Sequence, residues 1–162
     1  MPNTQDLSHH LSIPELNTPF LFRARAVDLP ADLRPLWRIG IIVLLMKLCC
    51  RESKARFRQL HVLNWGVRNK ENRELLTQAV TNAVPLDKVL VRIEPSLNRA
   101  VDYAVGEGLV ERIAGDQLKL TNKGAALADT LQQAKALFQE EKAFMATIKK
   151  SVNEKFVGEL FA

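Results

Sequence analysis

The sequence predicts a mainly α fold with a small β-hairpin wing, and three observations carry that prediction. A nearly unbroken apolar run from Leu36 to Cys50 reads as a buried helix. Several later segments repeat apolar residues at helical spacing. Finally, "GLVERIAGDQLKLTNKG", residues 108–124, reads as two short strands joined by a tight turn and running straight into a helix.

The chain has 162 residues, 47% hydrophobic and 25% charged, which fits one folded domain with extensions. Its longest uncharged apolar run, Ile39 to Met46, stops at Lys47, short of the roughly 20 residues a membrane span needs. The start, "MPNTQDLSHHLSIPEL", lacks the basic opening and apolar stretch of a signal peptide, so a cytoplasmic location without membrane attachment is expected.

Residues 1–34 are expected to form an extended arm. Five of the seven prolines fall in residues 1–35, and proline removes a donor and restricts its predecessor. Yet "PFLFRARAVDLP" is apolar, so Phe20, Leu21 and Phe22 should lie on a surface, the chain's own or a partner's.

Residues 35–124 hold the predicted domain. Pro35 suits the first turn of the Leu36–Cys50 helix. Ser53 is a possible cap for a second helix, "KARFRQLHVLNWGVRN", with Phe57, Leu60, Leu63 and Val67 along one face. A third helix, "KENRELLTQAVTNAV", ends at Pro85. Alternation at Val89, Val91 and Ile93 signals a short strand. Pro95 then opens a helix that Gly106 and Gly108 stop, and the hairpin turns at Ala114-Gly115-Asp116. This order is that of a winged helix-turn-helix domain.

Residues 125–162 are expected to continue as a long amphipathic helix, unbroken or broken once, capped by Thr121. Leu127, Leu131, Ala134, Phe138, Met145, Ile148 and Val152 form a stripe, interrupted at Glu141, that exceeds what a small domain covers. Part of it is expected to meet another chain.

Nothing in the sequence assembles a catalytic set. His9 and His10 fall in the arm and His61 in a helix, with no second ligand at metal spacing. The adjacent Cys49 and Cys50 point about 100° apart on a helix and read as buried free thiols. No glycine run forms a phosphate cradle. The expectation is a protein without enzymatic activity, cofactor or metal.

Charge is unevenly placed. Of the net +5, the whole excess lies in residues 47–74, which hold eight basic residues against three acidic. These are Lys47, Arg51, Lys54, Arg56, Arg58, Arg68, Lys70 and Arg73. Residues 95–124, the helix before the wing and the wing itself, balance four basic residues with four acidic ones. Since phosphate contacts supply most non-specific DNA affinity, that stretch makes a weak conventional reader, and DNA would be met by the 47–73 face. The same face could instead be solvated or meet an acidic partner. A sequence-reading role would fall to Asn98 and Arg99.

"RIGIIVLLMKLCCRESKARFRQLHVLNWGVRN" followed by "PSLNRAVDYAVGEGLVERIAGDQLKLTNKGAALAD" resembles the middle component of bacterial ABC three-component defence systems, the small third subunit of their Lamassu branch. The phrases "LHVLNW" and "PSLNRAVDYAVGEGLVER" carry most of the likeness, whereas "LTNKG" is common to many winged helix families. The resemblance covers roughly residues 20–130. It implies a non-enzymatic winged helix subunit seated on a coiled-coil, SMC-like ABC ATPase, with a nuclease or other effector completing the system. Partner contacts would then involve the arm (Phe20, Leu21, Phe22), Trp37, Trp65, and the C-terminal Phe138, Phe144, Met145, Ile148 and Phe156. A stand-alone winged helix regulator dimerising through residues 125–157 is the other reading.

Overall fold

A computed structural model describes residues 34–162, and the arm residues Phe20, Leu21 and Phe22, with His9 and His10, lie outside the described residues. The described chain is mainly helical, with a three-stranded antiparallel sheet at one side.

Its centre is α1, Pro35–Cys49. Residues Ile41 to Met46 are fully buried, as expected for a helix apolar on every side and surrounded by others. Helices α4 (Pro95–Gly106), α5 (Asn122–Gln133) and α6 (Gln139–Ile148) all pack on it. Helix α2 (Phe57–Val67) crosses it and carries α3 (Lys70–Val80) and α7 (Glu154–Leu160). Cys49 and Cys50 are free and buried, and burial pushes both thiols up to about 12.

The hairpin forms as the sequence predicts. Strand β2 (Val110–Arg112) pairs with β3 (Gln117–Leu120) through a turn in which Gly115 takes φ 76°, a left-handed conformation suited to glycine. Thr121 caps α5, accepting from the Gly124 amide at 3.1 Å.

Four expectations need correction. The second helix begins at Phe57, because Lys54–Arg56 is a strand, β1, paired antiparallel with β3. Glu52 and Ser53 both take positive φ and reverse the chain there, so Ser53 turns the backbone instead of capping a helix. The start of α2 is satisfied from the hairpin, with the Phe57 amide donating to the Asp116 carbonyl at 3.2 Å.

Second, α3 ends at Val80, five residues before Pro85, with Asn82 at positive φ. Third, the alternating segment at 89–93 makes no strand. A 3-10 turn at Leu86–Lys88 precedes it, Val89 turns inward, and Leu90 and Ile93 stay exposed. The sheet's third strand is β1, giving the order β1-β3-β2.

Fourth, the long C-terminal helix is three helices. The chain breaks where Phe138 and Lys149 adopt positive φ, and Glu141 lies within α6. Breaking there folds the apolar stripe back on the body, which buries far more apolar surface than a projecting helix would. Phe144, Met145, Ile148, Val152 and Val157 become core. The exposed end of α5 is closed by Lys142, whose ammonium donates to the Ala134 carbonyl at 2.7 Å.

Candidate docking groove and the disposition of the basic residues

An apolar groove of about 990 Å³ opens where α1 begins. Its walls are the first turns of α1, the end of α4, and α5 with the turn into α6. Trp37 and Phe138 meet at the floor, ring centroids 6.2 Å apart and tilted by 55°. Gly40 leaves room for this: a Cβ there would sit 2.9 Å from the tip of the Phe138 ring and push it away from α1.

The rim is apolar and solvent-facing, with Leu36 82%, Tyr103 57% and Leu137 50% exposed. Apart from Tyr103, Arg34 and Glu107 supply its side-chain polarity. Such a concave surface offers desolvation and shape.

Of the residues expected to meet a partner, Trp37 and Phe138 line this groove. Trp65, Phe144, Met145 and Ile148 are each 7% exposed or less and belong to the core, which corrects their assignment to a docking face. Phe156 is half-buried against the same core. Leu36, Tyr103 and Leu137 were not singled out by sequence. Their neighbours are equally apolar, and only the packing shows which of them remain outside.

Six of the eight members of the basic excess of residues 47–73 pair with acids of the same chain. Lys47 meets Asp129 at 3.2 Å, and Lys54 meets Glu52 at 2.6 Å. Arg56 reaches Glu154 at 2.9 Å and Asp116 at 3.7 Å. Arg68 joins Glu94, Lys70 approaches Glu74 at 3.8 Å, and Arg73 joins Glu140. Arg58 lies over the Phe161 ring at 5.9 Å. Arg51 is exposed, with no acidic partner among the described residues.

Glu94 holds two guanidiniums, since it also accepts from the buried Arg38 at 3.2 Å. This ties the start of α4 to α1 and to the end of α2.

On α4, Asn98 contacts His61 and Asp102 accepts from Arg112 at 2.5 Å. Arg99 remains exposed without an acidic partner among the described residues. His61 is 6% exposed, and burial holds its pKa below the usual 6.5 while the Asn98 contact opposes the shift. Its Nδ1 and the Asn64 Oδ1 are buried without a hydrogen-bond partner.

Among the described residues, no three His, Cys, Asp or Glu gather at metal-binding distance, and no helix is long and apolar enough to cross a membrane. No family model matches the chain, and neither a curated protein nor a solved structure matches it.

Proposed function

We propose that this chain is a non-enzymatic winged helix subunit of a bacterial anti-phage or anti-plasmid defence complex. It docks on an SMC-like ABC ATPase in the cytoplasm and helps couple DNA sensing to a nuclease or other effector. The observation that carries the reading is the open apolar groove at the start of α1, immediately after the apolar arm in sequence. Exposed apolar concavities are used as protein-docking or ligand-binding surfaces.

Other features support it. The strand order β1-β3-β2, with α4 directly ahead of the β2–β3 hairpin, fits a winged helix that carries α3 as an addition. The helix before the hairpin and the hairpin itself balance four basic residues with four acidic ones, which makes a weak reader of DNA. The resemblance of residues 20–130 to the middle component of ABC three-component systems names the partner class.

Co-expression with the coiled-coil ATPase tests the reading. Leu36→Asp with Leu137→Asp should abolish co-purification while leaving the melting temperature near that of the unaltered chain. Undiminished capture of the ATPase by that variant would remove the groove from the account.

Arg99 favours the second reading, a stand-alone regulator, since it stands exposed on α4 without an acidic partner among the described residues. There, Arg99→Ala should relax base preference at one operator position by about 1 to 3 kcal/mol. An unchanged operator preference would reject Arg99 as a reader.

A further inference from the structure

A second concavity, away from the groove, joins four cations of the 47–73 excess to two from the C-terminal segment. It arises because β1 is an edge strand: Ala55 turns into the core, so Lys54 and Arg56 turn outward. The reversal at Glu52 and Ser53 brings Arg51 to the same edge. From the opposite side, the left-handed Lys149 reverses the chain after α6 and delivers Lys150 and Lys155.

The resulting cleft is about 470 Å³. It shares Arg56, Gln59 and Glu154 with a neighbouring cleft of about 440 Å³ that adds Arg58. Together they form one open trough lined by six cations and three acids, Glu52, Asp116 and Glu154.

The ion pairs inside the trough do not close it. Lys54–Glu52 and Arg56–Glu154 join side chains 39% to 77% exposed, and such pairs are held weakly enough for a polyanion to compete. Arg51 and Lys150 have no acidic partner among the described residues. Lys155 approaches Glu159, one turn along α7, at 3.8 Å.

We propose that this trough binds the phosphodiester backbone of duplex DNA without reading its sequence. Six cations lining an open channel suit an extended polyanion better than a single phosphate, which would need convergent donors in a closed pocket. The lining contains no aromatic ring on which an unpaired base could stack, which favours a duplex over a single strand. For its setting the proposal rests on the DNA-sensing part of the proposed function, but its chemistry is measurable on the full chain alone.

The test is fluorescence anisotropy of the full chain with a mixed-sequence duplex of about 30 base pairs across a salt series. Three double variants are compared: Arg51→Glu with Lys150→Glu, the neutral Arg51→Gln with Lys150→Gln, and Lys88→Glu with Lys135→Glu as an equal charge change outside the trough. Losing two phosphate contacts should flatten the log–log salt slope by about 2 and weaken low-salt binding by about tenfold or more. The control pair should stay within about twofold. If the charge reversal prevents folding, the neutral pair carries the test with a smaller loss in the same direction.

Equal losses in trough and control variants would overturn the proposal, as would an unaltered chain that shows no salt-dependent duplex binding. Preference for a single strand of the same length, or for anionic phosphatidylglycerol vesicles, would overturn it too. Intact duplex binding with failed capture of the ATPase would leave the trough standing and remove the docking reading; the reverse result would do the opposite.

Discussion

Gly124→Ala probes how firmly the hairpin is fixed to the helical body. Gly124 is the third residue of α5, and a Cβ there would collide with the Leu109 carbonyl oxygen and approach the Leu120 side chain to 2.7 Å. The carbonyl has little freedom to retreat, since it accepts from the Thr121 amide at 3.0 Å, while the Thr121 hydroxyl donates to the adjacent Gly108 carbonyl at 2.6 Å. That same hydroxyl accepts the Gly124 amide, so the added methyl strains the cap and the hairpin's base together. Overpacking costs about 1 to 3 kcal/mol. A weakened cap adds about 1 kcal/mol, while alanine's better helix propensity returns at most about 1 kcal/mol. The net loss is therefore about 1 to 3 kcal/mol, which for a chain of this length lowers the melting temperature by roughly 3 to 10 °C. Thermal unfolding followed by circular dichroism reads it, with Gly106→Ala as the contrast, because a Cβ at Gly106 meets nothing within 4 Å. An unchanged or raised melting temperature for Gly124→Ala would refute the reasoning.

Other outcomes follow from burial. Ile148→Ala should cost about 2 to 5 kcal/mol in urea unfolding, because Ile148 is fully buried; a change within about 0.5 kcal/mol would return it to the surface. Burial makes His61 take up its proton at a lower pH in the folded chain than in the unfolded chain. Stability should therefore fall as pH drops from about 6.5 toward the lowered folded pKa and then level off, and His61→Gln should flatten that component; an unaltered pH slope would contradict it. Neither Cys49 nor Cys50 should react with iodoacetamide in the native state, and both should react after unfolding, since each is 1% exposed with its thiol pushed up to about 12. Rapid native labelling of either would contradict their burial.

The elements legible in the sequence are those set by local chemistry. The Leu36–Cys50 run, Pro95 at the start of α4, the turn at Gly115 and the Thr121 cap each act within a few residues. Strand β1 is only three residues long and pairs with β3 more than 60 positions away, so helical spacing prevails when the segment is read alone. The breaks before α6 and α7 rest on left-handed Phe138 and Lys149, residue types that give no turn signal. Tertiary burial of the α6 stripe imposes them.

The candidate sites were obscured for the same reason. Counting charge by segment finds Lys47, Arg56 and Arg73 but not Asp129, Glu154 and Glu140, which pair with them from 67 to 98 residues away. It equally misses Lys150 and Lys155, which belong to a balanced segment yet face Arg51 across the trough. Trp37 and Phe138 were legible as apolar candidates, whereas their meeting over Gly40 depends on the break at Phe138.

The central claim, that this chain is a subunit docked on a coiled-coil ATPase, is tested most directly by capture of the tagged full chain from its native host, with mass spectrometry of what accompanies it. The account predicts recovery of a large ABC ATPase with a long coiled coil together with an effector, both lost when Leu36 and Leu137 become aspartate. Recovery of the chain alone with one defined DNA fragment would contradict it and establish a regulator instead.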